Sequence, residues 1–270
     1  MTRWQIAVTY TYNGKSDSPI PPCRSDRYKK LLSKLENGED VTFIFNGDSI
    51  TAGASASFHT NTPPYMPSWQ VLFTEAVAKK YGYRVHYVKT DLTPSVKVPE
   101  KDSVYGDRGT VTYINTAVGG WKIFNAIENF DEHVTRWIGE YGCDLFVLAF
   151  GMNDKRNTAD VETESMRTIL DNVLALAPST SLLAVSTMLP NAESTNGWFT
   201  THDTFEDAMI PMADEYYKSG IPCAVAPMTT LSRFICSRKR FRDHSGNNIN
   251  HPNDFTVRIY AQVLIRTLLR

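Results

Sequence analysis

Four residues of this chain have the types and settings that acyl transfer needs: Ser49, Gly120, Asn153 and His251. Each stands in a short word, GDSITAG at Gly47–Gly53, NTAVGG at Asn115–Gly120, GMND at Gly151–Asp154 and NINHPND at Asn248–Asp254. A serine hydroxyl is a weak nucleophile until a neighbouring base takes its proton. His251 can be that base, because Pro252 and Asp254 restrain the entry to a terminal helix and so hold the imidazole on a rigid element. A tetrahedral oxyanion needs donors aimed at one point. The Gly120 amide, where a side chain would obstruct approach, the Asn153 side chain and the Ser49 amide are candidates. Losing one such donor typically costs roughly 100- to 1000-fold in turnover.

Each residue also has a plainer reading. Ser49 can shape a turn, Gly120 can close a strand-to-helix connection, and Asn153 can cap a helix. Asp48 reads as a support for the turn. His59, His86, His133, His202 and His244 read as surface or packing residues, although His59 and His202 lie in candidate site loops. The order and company of the four words favour one site.

Those words must be carried to one place by the elements around them. Strand-like apolar runs are Val41–Phe45, Arg84–Lys89, Val111–Asn115, Leu145–Phe150, Leu182–Thr187 and Pro222–Ala226. Helical patterns alternate with them. Ser25 can cap a helix with Tyr28, Leu31, Leu32 and Leu35 on one face, ended by Asn37-Gly38. Further helices are expected over Trp69–Tyr81, through Phe124, Ile127, Val134 and Ile138, through Met166, Ile169, Leu170, Val173 and Leu174, and from about Asn253 to Leu269. Apolar strands alternating with amphipathic helices indicate a parallel sheet covered on both faces. In such sheets chemistry gathers at the carboxyl ends of strands, and the first three words follow the ends of three strands. The polar stretch 91–109 reads as a long loop or small hairpin. Residues 1–38 read as an extended arm and short helix, with Ile6, Val8, Tyr10 and Tyr12 alternating, and residues 39–270 as the catalytic domain.

With these words in place, the chain resembles the GDSL/SGNH hydrolase superfamily. Ser49 matches the block I serine, Gly120 the block II glycine, Asn153 the block III asparagine and His251 the block V histidine, and the similarity spans residues 41–268. The resemblance implies a three-layer α/β/α sandwich with a mostly parallel five-stranded sheet, and ester hydrolysis through an acyl-enzyme with no metal or organic cofactor. The phrases GDSITAG, PPYMPSW, AVGGW, AFGMND and NHPNDF are similar to a bacterial branch that includes carbohydrate esterases. One position departs from the pattern. The superfamily commonly has an aspartate three residues before the histidine, and here that residue is Asn248. Its amide oxygen can accept from an imidazole but brings no charge. In a serine protease the Asp-to-Asn change costs about 10⁴ in turnover. Asn248, Asp243, Asp254 or a backbone carbonyl are the candidates for orienting His251.

The aromatic residues Tyr65, Trp69, Trp121 and Trp198-Phe199 fall near the words and can offer stacking faces to a sugar or line a short acyl slot. The leading expectation is a serine esterase for short acyl groups, acetyl above all, on a small-molecule or oligosaccharide substrate. Alternatives are a lipid-directed esterase, thioesterase or lysophospholipase, and a silent carbohydrate-binding module. Hydrophobic residues make up 42% and charged residues 21% of the 270, enough for a sizeable core, and the net charge of −1 calls for neither nucleic acid nor an anionic membrane. The basic run Arg238–Arg242 reads as a solvated helix end, or as a rim attracting an acidic substrate. Cys23, Cys143, Cys223 and Cys236 lack metal-ligand spacing and suggest no disulfide framework. No apolar run of transmembrane length and no signal-peptide stretch is present, so cytoplasm is the default expectation, with a secreted form whose leader has been removed still open. Oligomeric state is not assigned.

Overall fold

The strand that leads to Ser49 has no solvent-facing side. β1 (Val41–Gly47) is buried at every position and lies parallel between β4 (Thr110–Asn115) and β5 (Leu145–Ala149). The computed structural model describes residues 13–14, 17–92, 96–195, 197–198 and 200–269, so the alternating segment at Ile6–Tyr12 and Phe199 lie outside the described residues. With β2 (Arg84–Tyr87), β3 (Ser103–Val104), β6 (Ser181–Val185) and β7 (Cys223–Ala226), the sheet order is β3-β2-β4-β1-β5-β6-β7. All neighbours pair in parallel except β2 and β3. The sheet thus has seven strands where the resemblance implies five. The antiparallel edge strand comes from the polar stretch 91–109 and pairs only through Arg84↔Val104 and Val85↔Ser103, too short to show a period.

Side chains alternate across this sheet and divide the core in two. Phe43, Phe45, Val147, Leu183 and Ala224 face one layer, formed with α1 (Lys29–Asn37), α2 (Trp69–Tyr81), α7 (Met228–Arg238) and α9 (Asp254–Leu268). Ile44, Ile114, Phe146, Leu148 and Ala184 face the other, formed with α3 (Ile123–Glu128), α4 (Arg136–Tyr141), α5 (Ala159–Leu176) and α6 (His202–Lys218). A short helix, α8 (Phe241–His244), precedes the histidine loop. The result is a three-layer α/β/α sandwich. Among the described residues no helix is long and apolar enough to cross a membrane.

Several local expectations shift. Ser25 begins a 3-10 turn, Ser25–Tyr28, rather than capping α1, and its hydroxyl accepts from the Cys23 thiol at 3.3 Å. Gly38 ends α1 at φ +80°, as the Asn37-Gly38 pair suggests. The pattern through Phe124 to Ile138 is not one helix. A π-turn, Asp131–Thr135, separates α3 from α4 and shifts the buried stripe to Ile123, Ala126, Phe130, Val134 and Ile138, leaving Phe124 exposed. Among the described residues the four cysteines form no disulfide.

Candidate active site

β1, β4 and β5 end side by side, with Phe45 opposite Asn115 and Gly47 opposite Ala149. The chain leaves β1 through a turn that only glycine allows: a Cβ on Gly47 would lie 2.3 Å from Thr51 Oγ1 and 2.4 Å from the Ala149 carbonyl. Asp48 closes that turn by accepting the Ile50 amide at 2.9 Å. Ser49 is thereby held with its side chain toward His251, and Ser49 Oγ lies 2.8 Å from His251 Nε2 across 202 residues of chain. For Ser49 to donate in this contact, Nε2 must be unprotonated, and the neutral ring then carries its proton on Nδ1. Burial, and secondarily the nearby His59, hold the His251 pKa below its ordinary value, which favours the neutral, proton-accepting form.

His251 is fixed through its backbone. Asn247 Oδ1 accepts the amides of Ile249 at 2.9 Å, Asn250 at 2.9 Å and His251 at 3.0 Å. Asn247 Nδ2 donates to Asn250 Oδ1 at 2.9 Å. The His251 carbonyl accepts from Ser245 Oγ at 2.9 Å and from the Gly246 amide at 2.9 Å. Asn191 clamps the loop from outside, its amide donating to the Ile249 carbonyl at 2.8 Å and its Nδ2 to the Asn248 carbonyl at 2.9 Å. Two residues on, Asn253 caps α9 through the amides of Phe255 and Thr256.

The expected orienting groups do other things. Asn248 is exposed at φ +57° and its side chain makes no bond to the imidazole. Asp243 accepts from Arg240 Nε at 3.0 Å. Asp254 is buried and accepts the Ser57 amide at 2.8 Å, tying the histidine loop to the segment after Ser49. Among the described residues no hydrogen bond reaches His251 Nδ1. Sequence reasoning passed over Asn247, Ser245 and Asn191. The first two lie in SGNNINHP, a run whose small polar residues favour side-chain-to-backbone turns.

The second and third words flank the serine. A Cβ on Gly119 would stand 3.9 Å from Ser49 Cβ, and Gly120 has φ +84° with nothing within 4 Å of where its Cβ would be. Glycine is therefore needed there for the backbone conformation rather than for lack of room, since the space where a side chain would stand is open. Asn153 Nδ2 donates to the Trp121 carbonyl at 2.8 Å, leaving that amide a second N–H. Further bonds lock the words to one another. Asn115 Nδ2 reaches the Thr51 carbonyl at 2.8 Å, and Asp154 Oδ1 accepts the Ile123 amide at 3.1 Å. The ring nitrogen of His202 lies 3.0 Å from the Met152 carbonyl, and that of His133 3.4 Å from the Thr116 carbonyl.

Comparison with known families decides the classification: the profile of the GDSL-like lipase/acylhydrolase family matches residues 43–226. The chain belongs to that family. As a GDSL-like acylhydrolase it is a carboxylic-ester hydrolase. The matched range holds Ser49, Gly120 and Asn153, while His251 lies beyond it and joins them by geometry. A search of curated protein sequences finds no match. Solved structures share the fold at low identity. A two-domain esterase active on acetylated mannans, co-crystallised with mannopentaose, aligns at TM-score 0.61 and 17% identity, covering 90% of this chain and 53% of that one. The acylhydrolase thus spans about half the length of that protein. A catalytic mutant of an acetylxylan esterase from Geobacillus stearothermophilus aligns at TM-score 0.57 and 12% identity over 85% of this chain and 96% of that one. A carbohydrate esterase family 3 protein from Talaromyces cellulolyticus aligns at 0.55 and 14% identity, over 83% and 94%.

Around the acylhydrolase site, the aromatics separate into two groups. Trp69, expected to contact substrate, is fully buried; its Nε1 donates to the Ile50 carbonyl at 3.2 Å and its ring stacks on Tyr260 at 5.8 Å. It supports the Ser49 turn from beneath. Tyr65 is half exposed, Trp121 is partly covered with its ring 4.4 Å from His133, and Trp198 is partly covered with Lys155 Nζ 5.0 Å from its ring. These three keep part of their rings exposed.

Beneath the loops of this acylhydrolase lie three buried carboxyl groups. Burial pushes Asp48 up to about 7 and Asp154 up to about 6, and it raises Glu162 well above the ordinary range, with Asp154 and Asp48 adding to the last. Glu162 Oε2 accepts from Asn157 Nδ2 at 2.9 Å, while Glu162 Oε1 and Asp154 Oδ2 have no hydrogen-bond partner among the described residues. Among the described residues no cluster of His, Cys, Asp or Glu could hold a metal ion.

Proposed function

We propose that this acylhydrolase removes acetyl groups from a carbohydrate through an acyl-enzyme on Ser49. The reading rests on the 2.8 Å approach of Ser49 Oγ to His251 Nε2 beside the open Gly119–Gly120 turn. In the first step Ser49 Oγ bonds to the ester carbonyl carbon as its proton passes to His251 Nε2. The carbonyl oxygen gains negative charge and is met by the amides of Ser49 and Gly120 and by the free N–H of Asn153. Collapse breaks the carbon–oxygen bond to the sugar, whose oxygen takes the proton from His251. Water then attacks the acyl-serine, gives a proton to His251 and expels Ser49 Oγ, which recovers it; acetic acid leaves as acetate and a proton.

The carbohydrate half of the reading draws on the partly exposed rings of Tyr65, Trp121 and Trp198, whose flat faces suit sugar rings. Fold neighbours that act on acetylated mannans and on acetylxylan support the same assignment. The test is acetate release from acetylated manno- and xylo-oligosaccharides by the wild type and Ser49→Ala, run beside a 4-nitrophenyl ester series. Activity should be confined to the wild type and greatest on acetyl esters. Rates that climb with acyl length beyond about eight carbons would move the assignment to lipids.

A further inference from the structure

A cleft of about 830 Å³ opens between the loop after β6 and the end of α7, and the reaction above makes no use of it. Its walls are residues 189–193, residues 236–242 and Asn248. Asn248 stands three residues ahead of His251, and Asn191, which also lines the cleft, is hydrogen-bonded to the same loop. The loop that carries His251 therefore also borders the cleft. Leu189, Pro190 and Phe241 give it apolar surface, while Arg238, Lys239, Arg240 and Arg242 line it with cations.

Some of that charge is answered. Glu193 lines the cleft, Arg238 pairs with Asp17, and Arg240 pairs with Asp243 at 3.0 Å. Both pairs are well exposed, and exposed ion pairs exchange readily with solvent and competing ions. Lys239 lies over the Phe255 ring at 5.3 Å. Neither Lys239 nor Arg242 pairs with a carboxylate among the described residues. The chain as a whole carries a net charge of −1, so this concentration of cations is a local feature rather than the mark of a basic protein. Apolar surface beside guanidinium and ammonium groups suits a sugar ring that bears a carboxylate.

We propose that this cleft binds a uronate residue of the acetylated saccharide, so that the enzyme prefers acidic over neutral glycans. The proposal rests on the carbohydrate-esterase reading and adds the substrate class. Binding is measured by calorimetry on Ser49→Ala, which cannot turn substrate over, with a glucuronate-bearing xylo-oligosaccharide and its carboxyl-reduced counterpart. The acidic ligand should bind at least about tenfold tighter at low salt, and the gap should close in the Lys239→Ala/Arg242→Ala background and in about 0.5 M NaCl. Equal affinities, a gap that survives the double substitution, or equally tight binding of a single-stranded RNA oligonucleotide would overturn the proposal. In the otherwise wild-type enzyme the double substitution should lower kcat/KM for the acidic acetylated substrate and leave 4-nitrophenyl acetate hydrolysis unchanged. Acetate released equally from acidic and neutral saccharides sinks only this inference. Acetate released from neither sinks the carbohydrate reading itself.

Discussion

At the scale of single residues, the site replaces an expected contact with a different one. An aspartate on the imidazole would orient the ring directly. Here Asn247 orients the backbone that carries it, by gathering three successive amides on one oxygen. Asn247 is exposed, so its loss should not unfold the protein. Asn247→Ala is expected to lower kcat by more than about tenfold with little change in KM, since a slight misplacement of a reacting group is costly. Asn247→Asp keeps the accepting oxygen and should recover most of the rate. A merely structural role would lower thermal stability in Asn247→Ala while leaving kcat intact. The base also makes a pH prediction. His251 must be neutral to accept the Ser49 proton, and burial and His59 both lower its pKa from the ordinary 6.5. The acid limb of kcat/KM reports that group in the free enzyme, so it should lie below 6.5. His59→Gln removes the second cause and should move the limb upward, toward but not to 6.5. A limb that stays in place on 4-nitrophenyl acetate would take His59 out of the electrostatics of the site.

At the scale of elements, the loops around Ser49 are held by groups that resist ionisation. Glu162, on α5, is fully buried, and its pKa is raised by burial first and by Asp154 and Asp48 after it. A raised carboxyl pKa means the fold prefers the protonated form. Its stabilising contribution is complete below the ordinary value of 4.5 and is lost as pH climbs toward the raised one. Glutamine has no such dependence. The stability of Glu162→Gln relative to the wild type should therefore increase from about pH 5 to pH 8, by at most about 1.4 kcal/mol per pH unit. Melting temperatures of both proteins at those two pH values measure it, and a constant difference would refute the burial argument. These elements were unevenly legible in the sequence. Val41–Phe45 and Leu145–Phe150 read as strands because burial on both faces leaves an unbroken apolar run. The stripe from Phe124 to Ile138 misled because a π-turn inserts between two short helices and rotates the second relative to the first. α6 carries Pro211 inside it, a residue that argues against a helix until tertiary packing overrides it. Ser49, Gly120, Asn153 and His251 were legible because each sits in a word of distinctive composition. Asp48 was legible as the support of its turn, whereas the cross-links at Asn115, Asp154 and Asp254 were not, because one polar residue at a strand or helix end looks the same whether it caps its own element or reaches another.

At the scale of the whole molecule, the site depends on the order of the strands. β1 stands at the centre, with β4 on one side and β5 on the other, so three carboxyl ends release their loops into one crevice. The fourth word arrives from the far end of the chain on α9, which packs against α2, the helix after the serine loop. The first helix closes the same layer. Tyr28, Leu31 and Leu35 are buried in the core that contains Tyr260 and Leu264 of α9; Tyr28 OH donates to the Leu182 carbonyl at 2.8 Å, and the Arg24 amide to the Thr267 carbonyl at 2.8 Å. Residues 24–37 are thus bound to α9, whose start carries His251 to Ser49, and to β6, and their packing should be felt at the site. Leu35→Ala, at a position with no exposure, should cost about 2–5 kcal/mol of stability. If the helix belongs to the same cooperative unit, loss of esterase activity and loss of tryptophan fluorescence in urea will shift together to the same lower midpoint. If it were a separable appendage, the activity midpoint would stay at its wild-type value while only a local spectroscopic change moved.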